Sequence, residues 1–133
     1  METISAREAL ERLKQGNQRL LNGEAKGLGS ITAQRREELM QKARAGQAPY
    51  AIILSCADSW VPVEILFDAG PGELFVVRVA GNDANTSSIA SIEYAVAHLG
   101  TRLIATENND KTGGKDPCQV QVSCYSSNPP RIH

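Results

Sequence analysis

A chain of 133 residues lies inside the usual range for one domain and is long enough to bury a core, so no second globular unit is called for. Its 14 basic and 15 acidic residues leave a formal charge of -1, which offers no one-sided field to nucleic acid or to an anionic membrane surface. The N-terminus has no apolar core of the signal-peptide kind and no apolar run approaches bilayer length, so the expectation is a soluble, cytoplasmic protein with neither membrane nor nucleic acid as partner.

Ser5-Ala6-Arg7-Glu8 has the spacing of a capping box, and Leu10, Leu13, Leu20 and Leu21 then recur on one side until Asn22-Gly23, which predicts an amphipathic first helix. Gly23 to Gly29 reads as a loop. Thr32 can cap a second helix carrying Leu39, Met40 and Ala43 and stopping at Gly46, with Arg35, Arg36, Glu37, Glu38, Lys42 and Arg44 forming a solvated face. Tyr50 to Ser55 is apolar without alternation, as in a strand covered on both faces, and Leu74 to Ala80 is a second such run interrupted by Arg78. Arg78 should either pair with a buried carboxylate or mark a strand end facing a pocket. Between the two runs, Val63, Ile65, Leu66 and Phe67 suggest a short helical crossover before the Gly70-Pro71-Gly72 turn. That turn is not a phosphate cradle, because no Lys-Ser or Lys-Thr follows it. Asn85-Thr86-Ser87-Ser88 caps a helix with Ile89, Ile92, Val96 and Leu99 on one face and Gly100 as its stop, and Arg102 to Thr106 begins a third strand.

Strands alternating with helices predict an α/β fold, a small parallel β-sheet with flanking helices joined by right-handed crossovers. Ligands in such sheets gather at the carboxyl ends of the strands. Cys56 and Asp58, in Ser55-Cys56-Ala57-Asp58-Ser59-Trp60-Val61-Pro62, stand at one of those ends, a thiol and a carboxylate two residues apart, and metal binding is the chemistry to test there.

Three cysteines, Cys56, Cys118 and Cys124, are an odd number, which argues against a disulfide framework and for a thiol, metal or core role. Composition changes at about Ala105. Residues 105–133 contain no Leu and carry Asn108-Asn109-Asp110, Gly113-Gly114, Asp116-Pro117, Ser126-Ser127-Asn128 and Pro129-Pro130, so the segment is expected to be mostly irregular apart from a short strand at Gln119 to Ser123. The expected organisation is an incomplete α/β domain over 1–104 and a divergent tail over 105–133.

Three blocks together resemble the β-class carbonic anhydrases over about residues 5–104: the Cys56 block, Gly72-Glu73-Leu74-Phe75-Val76-Val77-Arg78-Val79-Ala80-Gly81-Asn82, and Ser91-Ile92-Glu93-Tyr94-Ala95-Val96-Ala97-His98-Leu99-Gly100. The resemblance implies a truncated domain of that family, an oligomer, bound zinc, and reversible hydration of carbon dioxide to bicarbonate. Matched residue by residue, Cys56 is the first zinc ligand and Asp58 the carboxylate of the family's Cys-x-Asp-x-Arg motif, near the metal-bound water. Trp60 stands where that motif has Arg, and an indole with its single neutral donor cannot replace a charged fork in holding Asp58 off the metal. The family's later His-x-x-Cys has no counterpart after Ala105.

Cys118, Cys124 and His133 are chemically suitable substitutes at spacings that match no familiar zinc pattern, and His98 is expected to face helix-terminal carbonyls or solvent. The tail reads as foreign to the family part, as a frameshift, an alternative exon or a fusion would leave it. Two expectations follow. The ancestral zinc lyase activity is impaired or lost, the alternative being an inactive remnant or an interaction protein without zinc. The outer edge of the third strand is left unpaired, which invites aggregation.

Overall fold

The computed structural model describes residues 4–26, 32–57, 62–80, 84–108 and 121–126. Helix α1 (Ala6–Leu21) starts where the capping box places it, with the Glu8 amide donating to the Ser5 hydroxyl at 3.2 Å. Helix α2 (Ala33–Arg44) is likewise capped by Thr32, whose hydroxyl accepts from the Arg35 amide at 3.1 Å. Strand β1 (Ala51–Ser55) is followed by the single turn α3 (Val63–Leu66), then β2 (Leu74–Arg78), α4 (Thr86–Leu99), β3 (Leu103–Asn108) and β4 (Gln121–Ser126). Asn85 caps α4 by accepting from the Ser88 amide at 3.0 Å, and Gly100 ends it at φ 71°, a left-handed conformation that glycine adopts without a Cβ clash.

The sheet order is β2-β1-β3-β4. The first three strands are parallel, with Ile52 paired to both Phe75 and Ile104, while β4 runs antiparallel to β3. Alternation along β1 splits its side chains between two layers. Ala51 and Ile53 join Ala9 and Leu13 of α1, Val63 and Leu66 of α3, Phe67, Leu103 and Ala105 in one buried cluster. Helix α4 covers the opposite face at β2, where its Tyr94 ring lies 6.3 Å from Phe75. All five residues of β1 are buried because β1 is flanked by strands on both sides and by helices on both faces.

Gly16 brings α1 close to the end of α3, since a Cβ there would overlap the Phe67 carbonyl oxygen. The contact is fastened by Asn17, whose Nδ2 donates to the Leu66 carbonyl at 3.0 Å, and by Arg19, whose Nε donates to Asp68 Oδ2 at 2.6 Å. Asp68 also accepts from the Lys26 amide at 2.7 Å.

Four expectations are corrected. Strand β2 is half-buried instead of covered, because it forms an edge of the sheet. Ile89 turns outward at 45% exposure, and α4 instead buries Ser88 and Ala95. Helix α2 buries none of its residues, Met40 included, although its charged face is solvated as expected. The outer edge of β3 is not bare. Residues 121–126 pair along it from Leu103 to Asn108, overlapping the strand expected at 119–123, so the sheet is mixed at that edge.

Candidate functional site

Cys56 follows the last residue of the central strand β1 and is half-buried. The backbone around it is held from β2. The Val79 amide donates to the Ser55 carbonyl at 2.9 Å and the Ala57 amide to the Val79 carbonyl at 3.3 Å, so the ladder continues one step past both strands. Arg78, paired in register with Ser55, donates from Nε to the Cys56 carbonyl at 3.3 Å. Arg78 is exposed at the strand end, beside the candidate site. The carboxyl ends of β1, β2 and β3 lie side by side here, with Leu54 opposite both Val77 and Thr106.

Asp58 and Trp60 fall in 58–61, and Gly81 and Asn82 in 81–83, all outside the described residues, as are Cys118 and His133. Among the described residues no group of three or more His, Cys, Asp and Glu comes together in a way that could hold a metal ion.

Cys124 can be located by strand register. It pairs with Ala105, which pairs with Ile53, so its backbone is two strands away from β1 and three residues short of Cys56. At about 4.8 Å per strand and 3.3 Å per residue, the two backbones are roughly 14 Å apart. Thiolates sharing one zinc, each at about 2.3 Å from the metal, need them far closer. His98 is remote as well. It lies in the last turn of α4, on the side where the chain enters β3, and its exposed ring sits 5.2 Å from Tyr94. It therefore packs, tilted, beside a neighbouring ring at the amino end of the sheet.

The polar fastening of α1 by Gly16, Asn17 and Arg19 was not anticipated from sequence. A glycine and an asparagine side by side within an apolar-periodic helix carried the signal, since both disfavour helix interiors unless packing requires them.

Residues 51–106 match the protein family described as carbonic anhydrase. Carbonic anhydrase 2 of Mycobacterium tuberculosis is 42% identical over 115 residues, covering 86% of this chain and 53% of that protein. The carbonic anhydrase of Helicobacter pylori is 35% identical over 97 residues, 62% of this chain and 44% of that protein. The chain thus spans about half the length of the curated relatives it matches. Among solved structures, the β-carbonic anhydrase CafA of Aspergillus fumigatus aligns with a TM-score of 0.51 at 32% identity, covering 56% of this chain and 37% of that one. A structure from a study of two tetrameric β-carbonic anhydrases of Sordaria macrospora aligns at 0.50 over 80% of this chain and 58% of that one, and at 24% identity it speaks to the fold alone.

Proposed function

The N-terminal part of this chain belongs to the β-carbonic anhydrase family, and from that premise we propose that it is a derivative of a zinc lyase for carbon dioxide and bicarbonate whose activity is impaired. The observation that carries the reading is the position of Cys56, a half-buried cysteine at the carboxyl end of the central parallel strand. Cys56 and Asp58 are the proposed metal-side residues, and Asp58 is the group proposed to act near a metal-bound water.

The donor set does not meet what catalytic zinc needs. About three protein ligands are required, and the family-matched positions supply one thiolate and one carboxylate. Beyond Thr106, β3 runs on through Glu107 and Asn108, where the family pattern calls for His-x-x-Cys. Cys124 is too distant to complete a site with Cys56. No catalytic step through zinc is therefore assigned.

The alternative reading is a remnant without zinc, inactive or acting through contacts with other proteins. It is favoured by the way 121–126 turn back along β3. In either case the division of the chain into 1–104 and 105–133, a homo-oligomeric state and a cytoplasmic location belong to the proposal. No helix among the described residues is long and apolar enough to cross a membrane. Zinc per chain separates the two readings. A derivative that retains part of the site carries some zinc, lost in Cys56→Ser, whereas a zinc-free remnant carries none and is indifferent to that change.

A further inference from the structure

At the amino end of the sheet, roughly 20 Å along β1 from Cys56, a cleft of about 250 Å³ is lined by Arg12, Gln15, Arg19, Tyr50, Asp68 and Glu73. Helical spacing of three and four residues puts Arg12, Gln15 and Arg19 on one face of α1. Tyr50 and Glu73 face them from the sheet, joined by the Tyr50 amide donating to the Glu73 carbonyl at 2.8 Å, one step before the paired Ala51 and Leu74. The cleft and Cys56 are at opposite ends of β1, so nothing below depends on how Cys56 is read.

The charges in this cleft are unevenly satisfied. Arg19 is committed to Asp68 at 2.6 Å. Arg12 lies with its guanidinium carbon 5.5 Å from the centre of the Tyr50 ring, and among the described residues it has no carboxylate partner. Glu73 Oε2 accepts from the Gly70 amide at 2.7 Å, while among the described residues nothing donates to Oε1. Burial first, and then the Glu73 carboxylate, push the Tyr50 phenol up to about 12, which keeps its hydroxyl a neutral donor across the physiological range. The cleft therefore presents one uncommitted cation, one half-committed carboxylate, a phenol and the Gln15 amide.

We propose that this cleft binds a small zwitterion of α-amino-acid size, with its carboxylate on Arg12 and its ammonium on Glu73. A simple anion on Arg12 meets repulsion from Glu73, and a simple cation on Glu73 meets it from Arg12, whereas a ligand of both signs matches the two open groups. Size restricts the class further. The volume falls below the ~300–1,000 Å³ of common small-molecule pockets.

The test is calorimetric titration of the full chain at neutral pH and low ionic strength with glycine, L-alanine and L-glutamine, against sodium acetate and methylammonium chloride. At least one of the amino acids is expected to bind saturably, with acetate and methylammonium about tenfold weaker or worse. Arg12→Ala and Glu73→Gln are each expected to weaken that binding by about tenfold or more, since each removes a charge-assisted contact. Both variants should fold, because Arg12 is exposed and a glutamine oxygen still accepts from Gly70, and circular dichroism verifies this. Absence of saturable binding by all three amino acids overturns the proposal. Acetate binding as tightly as they do, or affinity unchanged in both variants, overturns it as well.

Discussion

Adding one methyl group at Gly16 sets carbon against the Phe67 carbonyl oxygen, and because the obstacle is backbone it cannot swing aside. Gly16→Ala is therefore expected to destabilise the fold by about 1–3 kcal/mol despite its gain in helix propensity. The exposed Lys14→Ala in the same helix should stay within about 0.5 kcal/mol. Urea unfolding of the two variants checks this, and equal midpoints would show that α1 does not sit closely on α3. Asp68 makes a related point. Its side chain is 5% exposed against 42% for Arg19, and it holds a left-handed φ of 48° while accepting from both Arg19 and the Lys26 amide. Asparagine tolerates that backbone better than alanine and keeps an acceptor. Asp68→Ala should accordingly lose about 2 kcal/mol, with Asp68→Asn losing less, and the same urea midpoints rank them.

Tyr50 gives a pH signature. Its folded pKa is raised to about 12 from the ordinary 10, so the folded state favours the neutral phenol. That contribution is fully present below pH 10 and is lost as pH rises toward 12. Stability should fall across that window and fall less steeply in Tyr50→Phe, as followed by denaturation at a series of alkaline pH values. Little of this was legible in the sequence. The position of Cys56 was, because an apolar run ending at a polar block marks a strand terminus. The Arg12 and Glu73 pairing with Tyr50 was not, because it arises where α1 crosses the sheet, and no local pattern encodes that crossing.

Elements whose ends carry their own chemistry were legible: α1 from Ser5 and Glu8, α2 from Thr32, and α4 from Asn85 and Gly100. Strand β1 was legible too, because full burial leaves an unbroken apolar run. The exposure of β2 was not, since an edge strand and a central strand in a parallel sheet differ in neighbours more than in composition. The orientation of α4 was misjudged at Ile89 because its inward line uses the small residues Ser88 and Ala95, which hydrophobic periodicity undervalues. Strand β4 overlaps the short strand read at 119–123, but its antiparallel pairing along β3 was not legible, because register is a property of the pair and not of one strand. Its pairing carries a prediction. A chain ending after Asn108 exposes the full edge of β3 and should self-associate with rising concentration, whereas the intact chain does so less. Sedimentation velocity over a concentration series distinguishes them, and identical behaviour would mean that β4 does not protect that edge.

At the scale of the molecule, three parallel strands, their helices and a cysteine at the carboxyl end of the central strand are the framework the chain shares with the family, while the sequence after β3 carries no His-x-x-Cys. The proposed reading is that such a framework without the full donor set stays recognisable as a carbonic anhydrase relative and yet holds the metal poorly. On that reading two matched donors would bind zinc weakly, and Trp60 in place of a charged partner to Asp58 would remove a further ~10–100-fold in affinity or activity. Trp60→Arg alone should thus restore nothing, since it corrects the partner without supplying a ligand. The most direct test is the zinc content of the purified chain measured together with carbon dioxide hydration, in the native sequence and in Cys56→Ser. The account predicts well under one zinc per chain and hydration no faster than buffer in both proteins; one zinc per chain with hydration that disappears in Cys56→Ser would contradict it.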